Sequence, residues 1–197
     1  MGGVAVDWFA ITPGRGDFAE IARVVPRLRS LGAARLLLRE KQLDATVRLG
    51  LARQVARLCR DHAVALWISE DEAAAVAVGA DGLQLSERSP SPRLVRARLP
   101  AALALGVSLH DPVTRARDEV ERCAHAFLSP LFATESKPGV AGIGVDRFLE
   151  LARSLPLPVY ALGGVGEREA SVLASRGIRR VAAIGRFFGP AASGSRA

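Results

Sequence analysis

Lysine is scarce in this chain. Lys and Arg together number 27, yet lysine stands only at positions 41 and 137, and histidine only at 62, 110 and 125. A lysine brings a compact ammonium with three donors, suited to a phosphate that must be met from several directions; a guanidinium offers a rigid planar fork. An imidazole is the side chain that moves protons near neutral pH. Lys137 lies in "FLSPLFATESKPGVAGIGVD", residues 127–146. There an apolar run stops at Ser129, and a long polar stretch gathers Thr134, Ser136 and Lys137. His110 closes a different apolar run, "ALALGVS". Two further runs end in glycine, at Gly163-Gly164 and at Gly185. Glycine lets backbone amides approach an anion closely, so a phosphate site built by the backbone near Gly163, Gly164, Ile184 and Gly185 is expected.

These residues are useful together only if one architecture collects them. Eight short apolar runs alternate with helical patterns: "AVDWFAIT" (5–12), "ARLLLR" (34–39), "VALWIS" (64–69), "DGLQLS" (81–86), "ALALGVS" (102–108), "HAFLS" (125–129), "LPVYALG" (157–163) and "RRVAAIG" (179–185). Helices are expected near 17–31, 44–62, 71–79, 91–99, 111–124, 144–154 and 166–176. Continuous apolar strands between helices imply a parallel sheet covered by helices, and eight repeats imply an α/β fold closed into one (β/α)8 TIM barrel. Asp44, Ser91-Pro92 and Asp111-Pro112 read as helix starts, and Gly32, Gly79 and Gly177 as helix ends. At 197 residues the chain is short for such a barrel. The last strand is followed only by "RFFGPAASGSRA", so a truncated eighth helix is expected. The barrel is assigned to residues 1–188 and a flexible tail to residues 189–197.

Sites in parallel α/β folds form at the carboxyl ends of the strands. On that rim fall Arg39 and Lys41, Ser69 and Glu70, Gln84, Ser108 and His110, Ser129, the glycine pair and Gly185. Each has a plainer reading. Arg39 and Lys41 fit a solvated loop; Glu70 and Asp71 fit a helix cap; His110 fits a hydrogen-bonded structural histidine. His62 and His125 fall at the opposite ends of their elements, away from the rim.

Composition narrows the partners. The formal net charge is +7 and aromatic residues make up 5%. The arginines are scattered along helices without a dense run, and no aromatic interleaves with them as a stacking platform requires. A solvated basic surface that favours small anionic substrates is the expectation, without nucleic acid. No window approaches the roughly 20 apolar residues of a membrane span, and the N-terminal stretch lacks the marks of a secretory signal. A cytoplasmic protein with Cys59 and Cys123 as buried free thiols is expected.

Four stretches carry a resemblance. "RLLLREK", "GVSLH", "SPLFATESK" and "LPLPVYALGGV" resemble the Q-x-R-x-K, G-V-S-x-H, G-P-x-F-x-T-x-T-K and I-P-V-x-A-I-G-G-I motifs of the thiamin phosphate synthases, in the same order, from about residue 8 to 188. That family also holds thiazole tautomerases of the TenI type, and "LQLSERSPSPRLVRARLP" looks more like that branch. The resemblance implies an enzyme of thiamin biosynthesis that binds a phosphorylated thiazole. Arg39, Lys41, Ser108, Thr134, Ser136 and Lys137 would contact substrate or phosphate.

The metal positions of the synthases are altered. Their strand-two Gln is Leu37, their Asn-Asp after strand three is Ser69-Glu70, and their second metal carboxylate falls on Ser89. Magnesium is usually bound by one or two carboxylates; Glu70, with Glu87 as a displaced second ligand, would have to serve. A tautomerase instead needs a proton acceptor and donor and no cofactor, and His110 would supply them. The metal-independent tautomerase is therefore the preferred expectation. The alternatives are a Mg2+-dependent synthase that joins a pyrimidine diphosphate to thiazole phosphate, and a non-catalytic thiazole-phosphate binder. An absent eighth helix would leave an apolar strip, which a second copy of the chain in a homodimer would cover.

Overall fold

The computed structural model describes residues 5–110, 117–134 and 139–189. Eight parallel strands close into a barrel in sequence order: β1 (Asp7–Ile11), β2 (Ala33–Leu38), β3 (Ala65–Ser69), β4 (Gly82–Leu85), β5 (Ala104–Leu109), β6 (His125–Leu128), β7 (Val159–Leu162) and β8 (Arg180–Ala183). Closure is made by β8 against β1, with Trp8 opposite Val181 and Ala10 opposite Ala183. Helices follow the strands: α1 (Phe18–Val24), α2 (Ala45–Asp61), α3 (Glu72–Val78), α4 (Pro92–Arg98), α5 (Arg117–Val120), α6 (Val145–Ser154), α7 (Glu167–Ser175) and α8 (Gly185–Phe188).

Local chemistry sets most helix ends. Asp17, Asp44, Asp71 and Ser91 accept first-turn amide hydrogens, which satisfies donors that a helix leaves open. Gly79 ends α3 in the left-handed region at φ 61°, a conformation that costs other residues more. Two expected helices are shorter than the pattern implied. The first, expected over 17–31, leaves α geometry at Val24 and continues as a 3-10 turn, Val25–Arg27; Pro26 there has no N–H to donate. The fifth, expected over 111–124, is described only over Arg117–Val120, and Cys123 closes a turn on the carbonyl of Val120. Asp111-Pro112 lies outside the described residues. The expected short eighth helix is the single turn α8, and Phe187 from it meets Trp8 edge-on at 5.9 Å. Of the expected tail, residues 190–197 lie outside the described residues.

Strand alternation sorts residues into two layers. One set faces the helices and forms the outer core, including Trp8, Ala10, Leu36, Leu38, Leu66 and Ile68. The other fills the barrel: Phe9, Ile11, Leu37, Trp67, Phe127, Tyr160 and Ala182. His125 sits among these rings, 4.6 Å from Trp67 and 5.0 Å from Phe127 between centroids. At the amino-terminal end, Arg35 donates to Asp7 at 2.9 Å and Tyr160 donates to the same carboxylate at 2.6 Å. Among the described residues, the barrel is thus filled below, and a cavity lies above the aromatic layer. Glycine makes that filling possible at Gly82, where an added Cβ would lie 2.3 Å from the Trp67 ring.

Candidate active site

Above the aromatic layer, the inward residues become polar. They border a cavity of about 280 Å³ whose lining includes Arg39, Lys41, Glu70, Gln84, Ser108 and His110. This is the small end of the range for small-molecule sites. A second cavity, of about 440 Å³, lies beside it against Gly163, Gly164, Gly166, Ile184, Gly185 and Arg186. Thr134, Leu162, Gly163 and Ile184 border both, so the two spaces adjoin along one wall.

The turn after β2 places two cations at the mouth. The Arg39 amide donates to Thr12 Oγ1 at 2.9 Å, which ties this turn to the end of β1. Between the cations, Glu40 is buried and accepts from the Gly16 amide at 2.7 Å. The pattern of apolar runs gave no sign of this anchor, since Glu40 lies between two charged neighbours. Lys41 reaches across to form an ion pair with Glu70.

Glu70 holds an uncommon backbone conformation for a residue with a side chain, φ 59°. Besides Lys41, its carboxylate accepts from the hydroxyl of Ser86, and Ser89 Oγ lies 3.4 Å away. Burial pushes the Glu70 pKa up, but the hydrogen bonds from Lys41 and Ser86 and the charge of Lys41 outweigh it, leaving the pKa below its ordinary value. Asp71 takes the plainer role: it caps α3 and pairs with Arg48 at 2.7 Å.

His110 meets Glu87. The carboxylate Oε2 lies 2.7 Å from His110 Nδ1, and Oε1 accepts the His110 backbone N–H. The two carboxylates that only the synthase alternative would assign to magnesium thus each have other partners. Glu70 is engaged by an ammonium and hydroxyls, and Glu87 by an imidazole and an amide. Among the described residues, no group of three His, Cys, Asp or Glu side chains is placed to hold a metal ion. Magnesium is usually held by one or two carboxylates together with substrate phosphates, and Glu70 and Glu87 could serve in this way only on leaving their present partners.

Beneath them runs a polar chain. His125 Nε2 and Gln84 Oε1 are 2.9 Å apart, and Gln84 Nε2 donates to Ser108 Oγ at 3.1 Å. Burial first, and then the positive charge of Arg35, push the His125 pKa down to about 3, so this imidazole is neutral and donates from Nε2 to the amide oxygen.

The turn after β7, where phosphate is expected, has a backbone that favours glycine. Gly163 and Gly164 take φ 105° and 65°, and α8 begins at Gly185 on the wall of the same cavity. The structure brings together Arg39, Lys41, Ser108, His110, Thr134, Gly163 and Ile184 around the first cavity, and Gly164 and Gly185 around the second. Ser136 and Lys137 lie outside the described residues.

Comparison with known proteins shows the family and the fold. The family model described as thiamine monophosphate synthase matches residues 8–187. The chain belongs to the thiamine monophosphate synthase (TMP-TENI) family. It is 32% identical over 184 residues to a thiamine-phosphate synthase of Azoarcus sp. (strain BH72), covering 93% of this chain and 89% of the relative. It is 31% identical over 180 residues to a putative thiamine-phosphate synthase 2 of Aquifex aeolicus (strain VF5), covering 91% and 96%. Among solved structures, a thiamine phosphate pyrophosphorylase from Pyrococcus furiosus superposes with a TM-score of 0.76 at 20% identity, over 93% of this chain and 88% of that one. That likeness concerns the fold. The family places the chain among the enzymes of thiamin biosynthesis. No helix among the described residues is long and apolar enough to cross a membrane.

Proposed function

We propose that this family member is a metal-independent thiazole tautomerase. The phosphate of the substrate would lie in the cavity walled by Gly163, Gly164, Ile184 and Gly185, where glycine backbone admits an anion. The heterocycle would lie in the adjoining cavity, beside Ser108 and His110. The reaction moves a double bond into the ring. One proton leaves a ring carbon, one is delivered to the exocyclic carbon, and the formula is unchanged.

The observation that carries this reading is the Glu87–His110 pair at the mouth of the cavity. With Nδ1–H directed at the carboxylate, Nε2 is the basic nitrogen, and the carboxylate stabilises the imidazolium as it forms. A group held in this way acts as base and then as acid. Arg39 and Lys41 supply positive charge near an anionic substrate.

A second reading is the synthase, which joins a pyrimidine diphosphate to thiazole phosphate and releases pyrophosphate. The names of the relatives and the cations Arg39, Lys41 and Lys137 favour it. For magnesium to assist pyrophosphate departure, Glu70 would have to release Lys41, or Glu87 would have to release His110. The deciding experiment incubates purified protein with each substrate set, with and without Mg2+ and a chelator. Isomerisation of the carboxylated thiazole phosphate that is insensitive to chelation supports the tautomerase. Coupling that requires Mg2+ replaces it with the synthase. Binding of thiazole phosphate with neither reaction leaves a non-catalytic binder.

A further inference from the structure

The mechanism proposed above makes no use of Gln84 or His125, yet both are buried polar residues at the centre of the barrel. Gln84 is 2% exposed and His125 is 4% exposed. An amide in such a place needs its hydrogen-bonding groups satisfied. His125 does this for the amide oxygen. The sheet makes room for the contact: a Cβ at Gly106 would lie 2.2 Å from Gln84 Oε1 and 2.7 Å from His125 Nε2. Glycine at the middle of β5 is thus a condition for the pair to exist. A barrel that needed only filling would be served by apolar side chains here, as Phe127 and Trp67 serve beside them.

The orientation has a consequence for the cavity. With its oxygen turned to His125, Gln84 directs its NH2 group towards Ser108, and both residues border the cavity of about 280 Å³. One amide hydrogen goes to Ser108 Oγ at 3.1 Å. That leaves a second amide hydrogen and the hydrogen of the Ser108 hydroxyl, two donors side by side on the floor. Two adjacent donors match the two oxygens of a carboxylate, and hydrogen bonds to a charged partner are the stronger kind.

We propose that Gln84, held in orientation by His125, is the specificity-determining residue of this site, and that with Ser108 it binds the carboxylate of a heteroaromatic ring. His125 is a positioning residue. The proposal rests on the thiazole reading above for the identity of the ring.

Calorimetric titration tests it without any need for turnover. The probes are carboxylated thiazole phosphate, the same compound without its carboxylate, thiazole carboxylate without phosphate, and inorganic phosphate. Wild-type protein is expected to prefer the carboxylated phosphate by about 10–100-fold, the range for a charge-assisted hydrogen-bond pair. Gln84→Met should remove most of that preference, and Gln84→Glu should reverse it by charge repulsion. His125→Asn should reduce it by an intermediate factor. Inorganic phosphate should bind all variants alike, which also reports that the barrel is folded. If a Gln84 variant does not fold, Ser108→Ala, at the cavity wall, reads the same preference. A wild-type preference retained in Gln84→Met, or equal loss of both thiazole phosphates with phosphate binding intact, overturns the proposal. If wild-type protein binds neither thiazole phosphate, the proposed function fails. In that case, thiazole carboxylate binding that is lost in Gln84→Glu still supports the carboxylate site, and its absence removes that too.

Discussion

Glu87 holds His110 at two points, through Nδ1 at 2.7 Å and through the backbone N–H of the same residue. The pair fixes both the tautomer and the place of the ring. His110→Asn is expected to lower isomerisation by about 10²–10⁴-fold, the usual worth of a positioned acid–base group. Binding of thiazole phosphate should change little. Glu87→Gln keeps the shape and one donor–acceptor contact but loses the charge, so kcat should fall by about tenfold or more with KM nearly constant. Steady-state kinetics on both variants checks this; equal loss in KM would mean that the pair binds substrate instead.

Glu70 combines a left-handed backbone with an ion pair to Lys41. The two features act in opposite directions on substitution. Glu70→Ala loses the carboxylate and keeps the strained backbone. Glu70→Gly loses the carboxylate and relieves the strain, which is worth roughly 1 kcal/mol. The glycine variant is therefore expected to be the more stable by about that amount in chemical denaturation. In calorimetric titration, Mg2+ is expected to give no saturable heat with the wild-type protein, since Lys41 already occupies the cation position beside this carboxylate.

The site expected to hold phosphate has one glycine that can be filled without touching the protein. A Cβ at Gly164 would lie 2.6 Å from the Ala133 carbonyl, whereas a Cβ at Gly185 meets nothing within 4 Å. Gly164→Val would therefore disturb the loop as well as the site. Gly185→Val places its methyl groups into the space expected to hold the phosphate. It should keep the melting temperature of the wild type within a few degrees and weaken thiazole phosphate by about tenfold or more, as a lost charge-assisted contact would. Unchanged affinity would move the phosphate elsewhere.

His125 makes stability depend on pH. Its folded pKa is about 3, and its unfolded value is about 6.5. Below the unfolded value, the open chain binds a proton that the folded barrel refuses. The contribution is thus fully present above pH 6.5 and is lost progressively towards pH 3. Between pH 7 and 5, where Glu70 stays ionised, wild-type protein should lose about 2 kcal/mol of unfolding free energy. His125→Asn should show a flatter profile across that window. Urea titrations at the two pH values measure the difference, and parallel profiles would remove the assignment.

Much of the barrel was legible because its strands and helices are local patterns. Apolar runs, Asp and Ser caps and the glycine pair each announce themselves within a few residues, and the rim residues follow from where the runs stop. The pairings were not legible. Nothing in the sequence pairs Glu87 with His110, 23 positions away. His125 read as a remote strand-start residue, yet it supports Gln84, 41 positions away, across the middle of β5. Tyr160 and Asp7 are 153 positions apart. Such contacts are made by closure of the sheet, and no short-range periodicity encodes which inward residues then face each other. Expected helix lengths failed for a different reason: Pro26 interrupts the first helix while leaving its apolar spacing intact.

Among the described residues, the aromatic layer and the Asp7–Arg35–Tyr160 cluster beneath it close the amino-terminal end of the barrel and make it a cup. Whatever enters past His110 and Arg39 cannot leave at the far end, because Phe9, Trp67, His125 and Phe127 are buried side by side across it. Reactant and product then enter and leave at the same end of the barrel, each blocking the other while it is inside. Accumulated product therefore competes directly with fresh reactant for the empty chamber, and the rate of vacating it sets a ceiling on turnover however fast the chemical step.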